Sequence, residues 1–435
     1  MDTPNKQQPW SIPKACLHAL ARLEQNGYQA WIVGGAVRDL VRGSDVKDWD
    51  IACNADVETL LRLFASFRCL EMGRAHGTIT VLIDDLPLEI TTFRGASPTL
   101  EADLALRDFT INAMSYHPEK GLMDPFGGRA DLKDGVIRAV GNARERFSED
   151  PLRILRALRF ASQLAMRIES ETYRAMEELA PALLRVACER VREELHGLLL
   201  GASVADILRR AAGILGVVLP EIVPMLGFDQ RNRYHCHDVW NHTVEVIAHC
   251  PKDRILRWAA LFHDMGKPDT FTLDAHGCGH FYGHAKESLR HADAIMTRLK
   301  FDKKSREIIL FLVEQHDLRI AITPKAVRRA IQRFDYAPLK RLLPLFRADT
   351  AGHSALCANR MEEIDRLEQM LDETYRQKGR FTRKDLAVNG HDLMALGYHG
   401  ADLARILENL VTAVVFEGCE NSRQALLERA RAMGA

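Results

Sequence analysis

Two aspartates separated by one residue, Asp48 and Asp50, are the first candidates for metal chemistry in this sequence. They lie in a β-prone run over residues 48–52, and side chains at i and i+2 of a strand point to the same face. Paired carboxylates repel unless a cation lies between them, and Mg²⁺ with bound phosphate is the usual cation for oxygen ligands. Glu89, in a β-prone run over residues 88–93, is a candidate third carboxylate. An exposed polar strand face would give the same pattern, so the pair alone leaves both interpretations open.

A glycine pair, Gly34 and Gly35, follows a predicted strand and precedes a predicted helix. Glycines let the backbone approach a ligand closely, and a helix N-terminus offers free amides to a phosphate. Arg38 could add a cationic contact to that phosphate. A tight strand-to-helix turn without a ligand is the alternative, and the chain has no Walker P-loop motif.

Four charged side chains mark the start of a predicted helix after residue 150. Asp150 precedes Pro151, and Arg153, Arg156 and Arg159 follow at intervals of three residues, which keeps them near one helix face. Cytosine and adenine both present an amino donor beside a ring-nitrogen acceptor, which match a carboxylate and a guanidinium. The pattern therefore fits recognition of C and A, although helix capping with a solvated basic stripe would also explain it.

A histidine-rich block over residues 235–353 contains a second set of candidate ligands. Imidazole and carboxylate together form a borderline-to-hard metal site. The candidate ligands are His242, His263, Asp264, His284, His316 and Asp349. A further group, His276, Cys278 and His280, alternates with glycine and is predicted to form a hairpin loop.

The elements that must position these residues change in character along the chain. Strand and helix signals mix up to about residue 140, with predicted helices at 13–27, 36–41 and 57–67 and predicted strands at 29–33, 48–52, 78–83 and 88–93. Beyond residue 144 the sequence is almost wholly helical. The predicted fold is an α/β head with a small mixed sheet followed by a long all-α trunk. We expect four domains, at 1–145, 146–228, 229–353 and 354–435.

Composition excludes several classes of protein. The 435 residues are 47% hydrophobic and 27% charged, which is typical of a globular protein and excludes a disordered one. No apolar run is long enough to span a membrane, and nothing resembles a secretory signal. Nine cysteines without a CxxC pair favour reduced thiols, so we expect a cytoplasmic protein. The formal net charge is zero, which does not exclude nucleic acid because binding needs only a local basic stripe.

Several ordered motifs carry a resemblance to a known family. The first is VGGAVRDLVRGSDVKDWDIA at residues 33–52, and the others lie at 77–78, 89–94, 107–113, 124–128, 149–153 and 189–195. Together they resemble class II tRNA nucleotidyltransferases, the CCA-adding enzymes, and the related bacterial poly(A) polymerases. Leu106 departs from the family, which usually has arginine there. The histidine block resembles the HD phosphohydrolase domain, so the trunk is expected to include an HD-type helical domain.

The resemblance implies roles for these residues. It implies that Asp48 and Asp50 bind Mg²⁺, with Glu89 as a candidate third ligand. It implies nucleotide contacts for Gly34, Gly35, Arg38 and Arg107, and a ribose contact for Asp108. Base recognition is assigned to Asp150 and Arg153, with Arg156 and Arg159 nearby. Without the family, Asp108 would be an N-cap for a predicted helix over 109–114. It also implies that His242, His263, Asp264 and Asp349 are metal ligands, with His284 and His316 as the extra ligands of two-metal versions. The metal there would be a divalent transition metal.

The expected reaction adds CCA to the tRNA 3′ end from CTP and ATP, with no membrane or DNA partner. Backbone contacts to tRNA are expected from the basic segment 323–347, with seven basic residues and one acidic residue, and from Arg380, Arg383 and Lys384. Alternatives are a poly(A) polymerase, a partial enzyme adding only CC or only A, a metal-dependent phosphohydrolase or phosphodiesterase with an RNA-binding head, and a noncatalytic RNA-binding protein.

Overall fold

A computed structural model of the chain describes residues 10–71, 73, 77–95, 99–357, 359–378 and 381–433. The chain forms two compact units, Met1–Val218 and Leu219–Ala435. The first unit combines a sheet with helices, and the described part of the second is almost entirely helical. The predicted fold class is therefore confirmed. The four-domain division stays a prediction.

A seven-stranded sheet organises the first unit. Its strands are β1 (Ala30–Val33), β2 (Trp49–Cys53), β3 (Arg68–Leu70), β4 (Thr78–Ile83), β5 (Leu86–Thr92), β6 (Ser115–His117) and β7 (Gly121–Met123). The order is β3-β4-β5-β2-β1-β6-β7, and only β2 and β5 pair in parallel. The three central strands β1, β2 and β5 are therefore the ones that carry the predicted glycine turn and the predicted carboxylates.

The two faces of this sheet are covered differently. Trp49 and Ile51 of β2 lie on the face that packs into the main core. On the other face, Ala52 packs in a small cluster with Leu100 and Leu104 of helix α4 (Leu100–Ala105). Because side chains alternate between the two faces along a strand, the Asp50 side chain lies on this second face, outside the apolar cluster with α4.

Helices surround the sheet and continue to the end of the first unit. They are α1 (Lys14–Gln25), α2 (Gly35–Arg42), α3 (Val57–Leu63), α4 (Leu100–Ala105), α5 (Gly128–Asp134), α6 (Ala143–Glu149), α7 (Leu152–Leu164), α8 (Ser170–Leu179), α9 (Cys188–Leu199), α10 (Val204–Arg210) and α11 (Ala212–Val218). Short 3₁₀ turns occupy Thr110–Asn112 and Ala180–Arg185, and β8 (Val136–Ile137) pairs in parallel with β9 (Arg167–Ile168). The predicted helix over 109–114 is wrong: only a 3₁₀ turn forms, because Phe109 is extended and bridges to Ala139.

The described residues of the second unit form helices and one small hairpin. Its helices are α12 (Val239–His249), α13 (Arg254–Phe262), α14 (Lys267–Thr270), α15 (His284–Arg298), α16 (Lys303–Glu314), α17 (Pro324–Phe334), α18 (Tyr336–Ala351), α19 (Asn359–Lys378), α20 (Gly390–Met394), α21 (Gly400–Thr412) and α22 (Arg423–Met433). The hairpin pairs β10 (Thr272–Leu273) with β11 (Gly279–His280). Among the described helices, none has the length and apolar character needed to cross a bilayer.

Candidate active site

The predicted carboxylates lie at the open end of the central strands. Asp50 is on β2 and pairs in register with Glu89 on β5 and with Val33 on β1. Asp48 lies one residue before the strand, so the predicted strand starts one residue too early; β2 begins at Trp49. Burial, followed by the charge of Glu89, raises the pKa of Asp50 to about 6, and Asp48 adds to the rise. Arg107 and Arg38 only partly oppose this shift, so the negative charges are close together and undercompensated.

The glycine turn lies directly against this carboxylate cluster. Gly34 has φ +69° and ψ −133°, a conformation that side chains strongly disfavour, and α2 begins at the next residue. A Cβ atom at Gly34 would lie 2.9 Å from a guanidinium nitrogen of Arg107 and 3.2 Å from the Oδ2 atom of Asp50. Glycine is therefore required here both by the backbone and by the close approach of the two side chains. The aspartate faces the turn, as the sequence-based interpretation requires.

Two arginines beside the turn are held in place by partners that the sequence analysis missed. Arg107 donates through Nε and Nη2 to Oδ2 of Asp103, whose side chain is fully buried on α4. Arg38 donates to the carboxylate of Asp39 and to Oδ1 of Asn112. A fixed guanidinium loses less conformational freedom when it binds a phosphate. The spacing of four residues between Asp103 and Arg107 is the one sequence signal that could have indicated this pair.

Asp108 is buried, and both of its oxygens are engaged. Oδ1 accepts hydrogen bonds from the Phe109 amide at 2.8 Å and from Asn112 at 3.0 Å. Oδ2 accepts from Arg156, whose nitrogen atoms lie 2.7–2.8 Å away. Although burial opposes it, the attraction of Arg156 and these hydrogen bonds hold the pKa of Asp108 below its ordinary value. The carboxylate is therefore charged and rigidly placed.

The two predicted base-reading residues have other partners in this structure. Oδ2 of Asp150 accepts from Arg190 at 2.9 Å. Arg153 donates to Glu149 at 3.0 Å and to the carbonyl of Leu106 at 2.8 Å. Contacts to a base edge by Asp150 and Arg153 would therefore supplement or replace these bonds.

Arg156 and Arg159 of α7, together with Arg38 of α2, lie close to the aromatic ring of Phe160. Guanidinium carbons of Arg38, Arg156 and Arg159 lie 5.3, 5.4 and 4.2 Å from the ring centroid of Phe160, within cation–π range. Arg159 also donates to the largely buried Glu194 at 2.6 Å. Neither Phe160 nor Glu194 was identified as a site residue from the sequence.

One cavity of about 880 Å³ brings these side chains together. Its lining includes every residue predicted for the nucleotide site, namely Gly34, Gly35, Arg38, Asp48, Asp50, Glu89, Arg107, Asp108, Asp150, Arg153, Arg156 and Arg159. It also includes residues that sequence reasoning did not single out, among them Arg94, Asn112, Phe160 and Arg190. The cavity therefore combines an acidic end at the strands with a guanidinium-rich wall along α7.

The histidines of the second unit converge through one shared pattern. In His242, His263, His284 and His316, the Nδ1 atom lies within 2.7–3.1 Å of a backbone carbonyl. If each Nδ1–H donates to that carbonyl, each Nε2 atom carries a lone pair toward the centre of the cluster. Such a hydrogen bond is the usual support for a metal-binding imidazole. Burial lowers the pKa of His316 to about 4, which keeps this ring neutral.

Two buried carboxylates complete this cluster. Oδ2 of Asp264 lies 3.4 Å from Nε2 of His242 and 3.2 Å from that of His263, whereas Oδ1 faces His284 at 3.4 Å. Oδ1 of Asp349 lies 3.2 Å from Nε2 of His242. His242, His263 and Asp349 form one possible ligand group, and Asp264, His284 and His316 form another. Nε2 of His263 is buried without a hydrogen-bond partner, as expected for an atom that binds a metal, whereas Oδ2 of Asp264 forms an ion pair with Nζ of Lys267.

A second cavity of about 640 Å³ opens onto this cluster. Lys267, Arg319 and Arg360 line it, and Nζ of Lys267 lies 2.7 Å from Asp264. His235 and His353 also line it, and burial lowers the pKa of His235 to about 2. Sequence reasoning did not single out these five residues, although His235 and His353 form a further group of potential metal ligands with His242.

Known family models match successive parts of the chain. The Poly A polymerase head domain matches residues 30–138, the "Probable RNA and SrmB- binding site of polymerase A" matches 165–226, the HD domain matches 232–370, and tRNA nucleotidyltransferase domain 2 matches 346–430. A CCA-adding enzyme of Leuconostoc mesenteroides is 31% identical over 94% of this chain and 93% of its own length. The chain belongs to the family of class II CCA-adding enzymes.

Two further relatives place it within this family. An A-adding tRNA nucleotidyltransferase of Deinococcus radiodurans is 36% identical over 70% of this chain and 72% of its own length. The crystal structure of the Bacillus stearothermophilus CCA-adding enzyme in complex with CTP is 27% identical, with a TM-score of 0.73 over 97% of this chain and 98% of that one. The predicted resemblance, the nucleotidyltransferase class and the CCA-adding activity are thus confirmed at the level of the family. Both the nucleotidyltransferase family and the HD family depend on metal ions.

In this family member, much of the predicted basic segment is paired with acidic residues. Lys340 and Arg347, both on α18, form ion pairs with Glu368 of α19. Arg341 lies 3.4 Å from Asp253, and Arg383 pairs with Glu408. Arg380 lies outside the described residues. The net charge of the segment therefore overstates its attraction for an RNA backbone.

Proposed function

We propose that this chain adds cytidine, cytidine and adenosine to the 3′ end of tRNA from CTP and ATP, releasing pyrophosphate. The single cavity that joins the strand carboxylates, the glycine turn and the arginines of α7 supports this function best. Nucleotidyl transfer needs metal-binding oxygens at one end of a triphosphate and a recognition surface at the base. The cavity has both in one place.

The carboxylates Asp48, Asp50 and Glu89 are the proposed Mg²⁺ ligands. All three offer oxygen, which Mg²⁺ prefers, and a bound cation would offset the burial and the charges of Glu89 and Asp48 that raise the pKa of Asp50. When bound, Mg²⁺ would activate the tRNA 3′-hydroxyl and neutralise the triphosphate. The protein positions the reacting groups, and its arginines oppose the charge of the leaving pyrophosphate.

The glycine turn and its arginines are proposed to hold the phosphates. Gly35 opens α2, and Arg38 and Arg107 flank the turn with guanidinium groups that are already oriented by hydrogen bonds. Asp108 is proposed to lie near the ribose, as in the family. Because both of its oxygens already accept from neighbours, a ribose hydroxyl would share or replace one of these contacts.

Base choice is proposed to rest on Asp150 and Arg153. A carboxylate accepts from the amino group of C or A, a guanidinium donates to the ring nitrogen, and U and G mismatch both. An unmatched buried partner costs enough to reject the wrong base. Because Arg190 and Glu149 engage these side chains, we propose that nucleotide binding exchanges those partners.

An incorporation assay tests the reaction and separates it from its rivals. Labelled CTP and ATP are supplied separately to tRNAs that lack CCA, CA or A. A CCA-adding enzyme extends all three, an A-adding enzyme extends only the tRNA lacking A, and a poly(A) polymerase adds many adenylates. The A-adding relative makes this distinction necessary.

The metal assignment is tested by Asp48→Asn and Asp50→Asn in the same assay. Each should abolish incorporation while tRNA binding survives, because the lost charge belongs to the metal site. Asp84→Asn is the matched control: Asp84 lies in the exposed β4–β5 turn with φ +49°, which asparagine tolerates. Full activity of either cavity variant would refute the assignment.

A second function, metal-dependent phosphohydrolysis, is favoured by the converging Nε2 atoms of the histidine cluster. A divalent transition metal suits imidazole with carboxylate ligands. The proposed substrates are terminal or 2′,3′-cyclic phosphates of RNA, and Lys267, Arg319 and Arg360 supply the opposing charge. His263→Ala should abolish metal-dependent phosphate release and leave nucleotide incorporation intact. Phosphate release without any incorporation would instead favour a hydrolase with an RNA-binding head.

The proposed compartment is the cytoplasm. All nine cysteines are free thiols, and three of them are buried. Such thiols persist where the redox environment is reducing.

A further inference from the structure

The β10–β11 hairpin brings together three metal-binding side chains that belong to neither site described above. Asp274 follows β10, Cys278 precedes β11, and His280 ends it. The loop between the strands is closed by the amide of Asp274, which donates to the carbonyl of Cys278 at 3.0 Å. The sequence predicted a hairpin loop, and the hairpin is present.

The two carboxylate oxygens of Asp274 contact different groups. Oδ1 accepts from the backbone amides of His276 and Cys278 at 2.8 and 2.9 Å, which fixes the carboxylate to the loop. Oδ2 is turned to the other side and lies 3.0 Å from Nε2 of His280. A metal ion bound at Oδ2 would therefore replace the hydrogen bond with His280 and leave the loop contacts of Oδ1 intact.

The thiol of Cys278 lies beside this carboxylate–imidazole pair. A carboxylate oxygen of Asp274, Sγ of Cys278 and a ring nitrogen of His280 all lie within 4.8 Å of one another. The His280 ring stacks on Tyr282 with an interplanar angle of 8°, which restricts its rotation. Ligand bonds to zinc are roughly 2.0–2.3 Å long, so small side-chain rotations would bring all three donors to one ion.

We propose that Asp274, Cys278 and His280 bind a Zn²⁺ ion, with the fourth position open to water. Sulfur, nitrogen and oxygen donors together favour zinc or a similar transition metal over Mg²⁺. The thiol proton is released to solvent as the sulfur coordinates. The site shares no ligand with the buried histidine cluster, although Gly279 and His280 also line the cavity that leads to it. A bound ion would thus stiffen one wall of that cavity.

The competing interpretation is a simple hydrogen bond between Asp274 and His280 that stabilises the hairpin. Sulfur distinguishes the two, because the hydrogen bond does not involve Cys278. It also distinguishes the hairpin from the histidine cluster, whose proposed ligands contain only nitrogen and oxygen.

Titration of the full-length protein with Co²⁺, a spectroscopic substitute for Zn²⁺, tests the proposal. A thiolate ligand gives a near-ultraviolet sulfur-to-cobalt charge-transfer band, which imidazole and carboxylate do not give. We expect this band in the native chain, its loss in Cys278→Ser, and its loss or strong reduction in His280→Ala. Cys357→Ser is the matched control because Cys357 also lines the nearby cavity, and it should retain the band.

Zn²⁺ stoichiometry gives a second measurement. Native protein should bind one more equivalent of Zn²⁺ than Cys278→Ser, and this difference should persist when both proteins carry His263→Ala. All hairpin variants should retain CTP incorporation, which shows that they fold and keeps this test separate from the proposed nucleotidyltransferase function. Absence of the band in the native chain, or its persistence in Cys278→Ser, would overturn the zinc site.

Discussion

Replacement of Gly34 by alanine isolates the contribution of the glycine turn to catalysis. At φ +69° and ψ −133° a side chain costs about 1–3 kcal/mol in backbone strain. The new Cβ would lie 2.9 Å from Arg107, whereas ordinary contacts begin at 3.4 Å, so this guanidinium must move by about 0.5 Å. It is tethered to the fully buried Asp103 and cannot swing aside without losing that ion pair.

Gly43→Ala is the matched control for this change. Gly43 ends the same helix, α2, and also has a positive φ of +67°, but an added Cβ would meet nothing within 4 Å. Alanine in this left-handed conformation costs about 1–2 kcal/mol. Gly43→Ala should therefore show the cost of the positive φ alone. Gly34→Ala adds the displacement of Arg107, so it should be destabilised further, and only Gly34→Ala should perturb the cavity.

The measurements are the urea midpoint of unfolding and the kcat/KM for CTP incorporation, the latter taken where both variants are folded. Misplacement of a binding group by about 1 Å can cost about 100-fold, so we expect a loss of roughly tenfold or more for Gly34→Ala. For Gly43→Ala the activity should stay within about twofold of the native value. Equal activities in the two variants would show that the turn does not position the reacting groups.

Two other predictions concern charges in the cavity. Because burial and Glu89 raise the pKa of Asp50 to about 6, this carboxylate takes up a proton at a higher pH than an ordinary aspartate does. A proton then competes with Mg²⁺, so half-saturating Mg²⁺ for incorporation should rise up to about tenfold per pH unit below about pH 6; no change down to about pH 5 would contradict this. Asp103→Asn removes the charge that orients Arg107, and it should destabilise the protein by about 3 kcal/mol and raise the KM for both CTP and ATP. The control is Asp206→Asn, because Asp206 forms an exposed ion pair with Arg210. It should alter stability by less than about 0.5 kcal/mol and leave the KM unchanged. Equal effects of the two substitutions on KM would argue against a role of Asp103 in orienting Arg107.

Local geometry explains which parts of the nucleotide site could be predicted from the sequence. Asp48 and Asp50 are two residues apart at the start of a strand, and the glycine turn joins a strand to a helix within three residues. These features depend on backbone periodicity and on φ, which short sequence windows encode. The error in the start of β2 is a single residue, and it leaves both aspartates on the cavity.

Long-range pairing explains what the sequence did not reveal. Glu194 contacts Arg159 from 35 residues away, and Asn112 contacts Arg38 from 74 residues away. Such partners depend on how helices and strands pack, and neither their type nor their spacing marks them in advance. The helix predicted over 109–114 failed for the same reason, since the bridge from Phe109 to Ala139 overrides local helix propensity.

The histidine block shows the same division between local and distant information. His263 and Asp264 follow a predicted apolar helix, and the structure places His263 at the C-terminal end of α13. The order of the other ligands is meaningful only through the family, because His242 and Asp349 meet across 107 residues. Lys267, three residues after Asp264, was overlooked because a lysine is not a metal ligand, yet its charge neutralises that buried carboxylate.

Paired charges explain how a formally neutral chain can build a site for a polyanion. Each of six cavity arginines is held by a carboxylate: Arg38 by Asp39, Arg107 by Asp103, Arg153 by Glu149, Arg156 by Asp108, Arg159 by Glu194 and Arg190 by Asp150. These pairs reduce the net attraction for a triphosphate. Those of Arg38, Arg107, Arg156 and Arg159 fix the guanidinium before the nucleotide arrives, whereas those of Arg153 and Arg190 are the ones proposed to exchange on nucleotide binding. Because oriented donors need no reorganisation during the reaction, they stabilise the developing charge more effectively than mobile ones. Affinity for the triphosphate must then depend strongly on Mg²⁺, whereas the orientation of the nucleotide depends on the arginines.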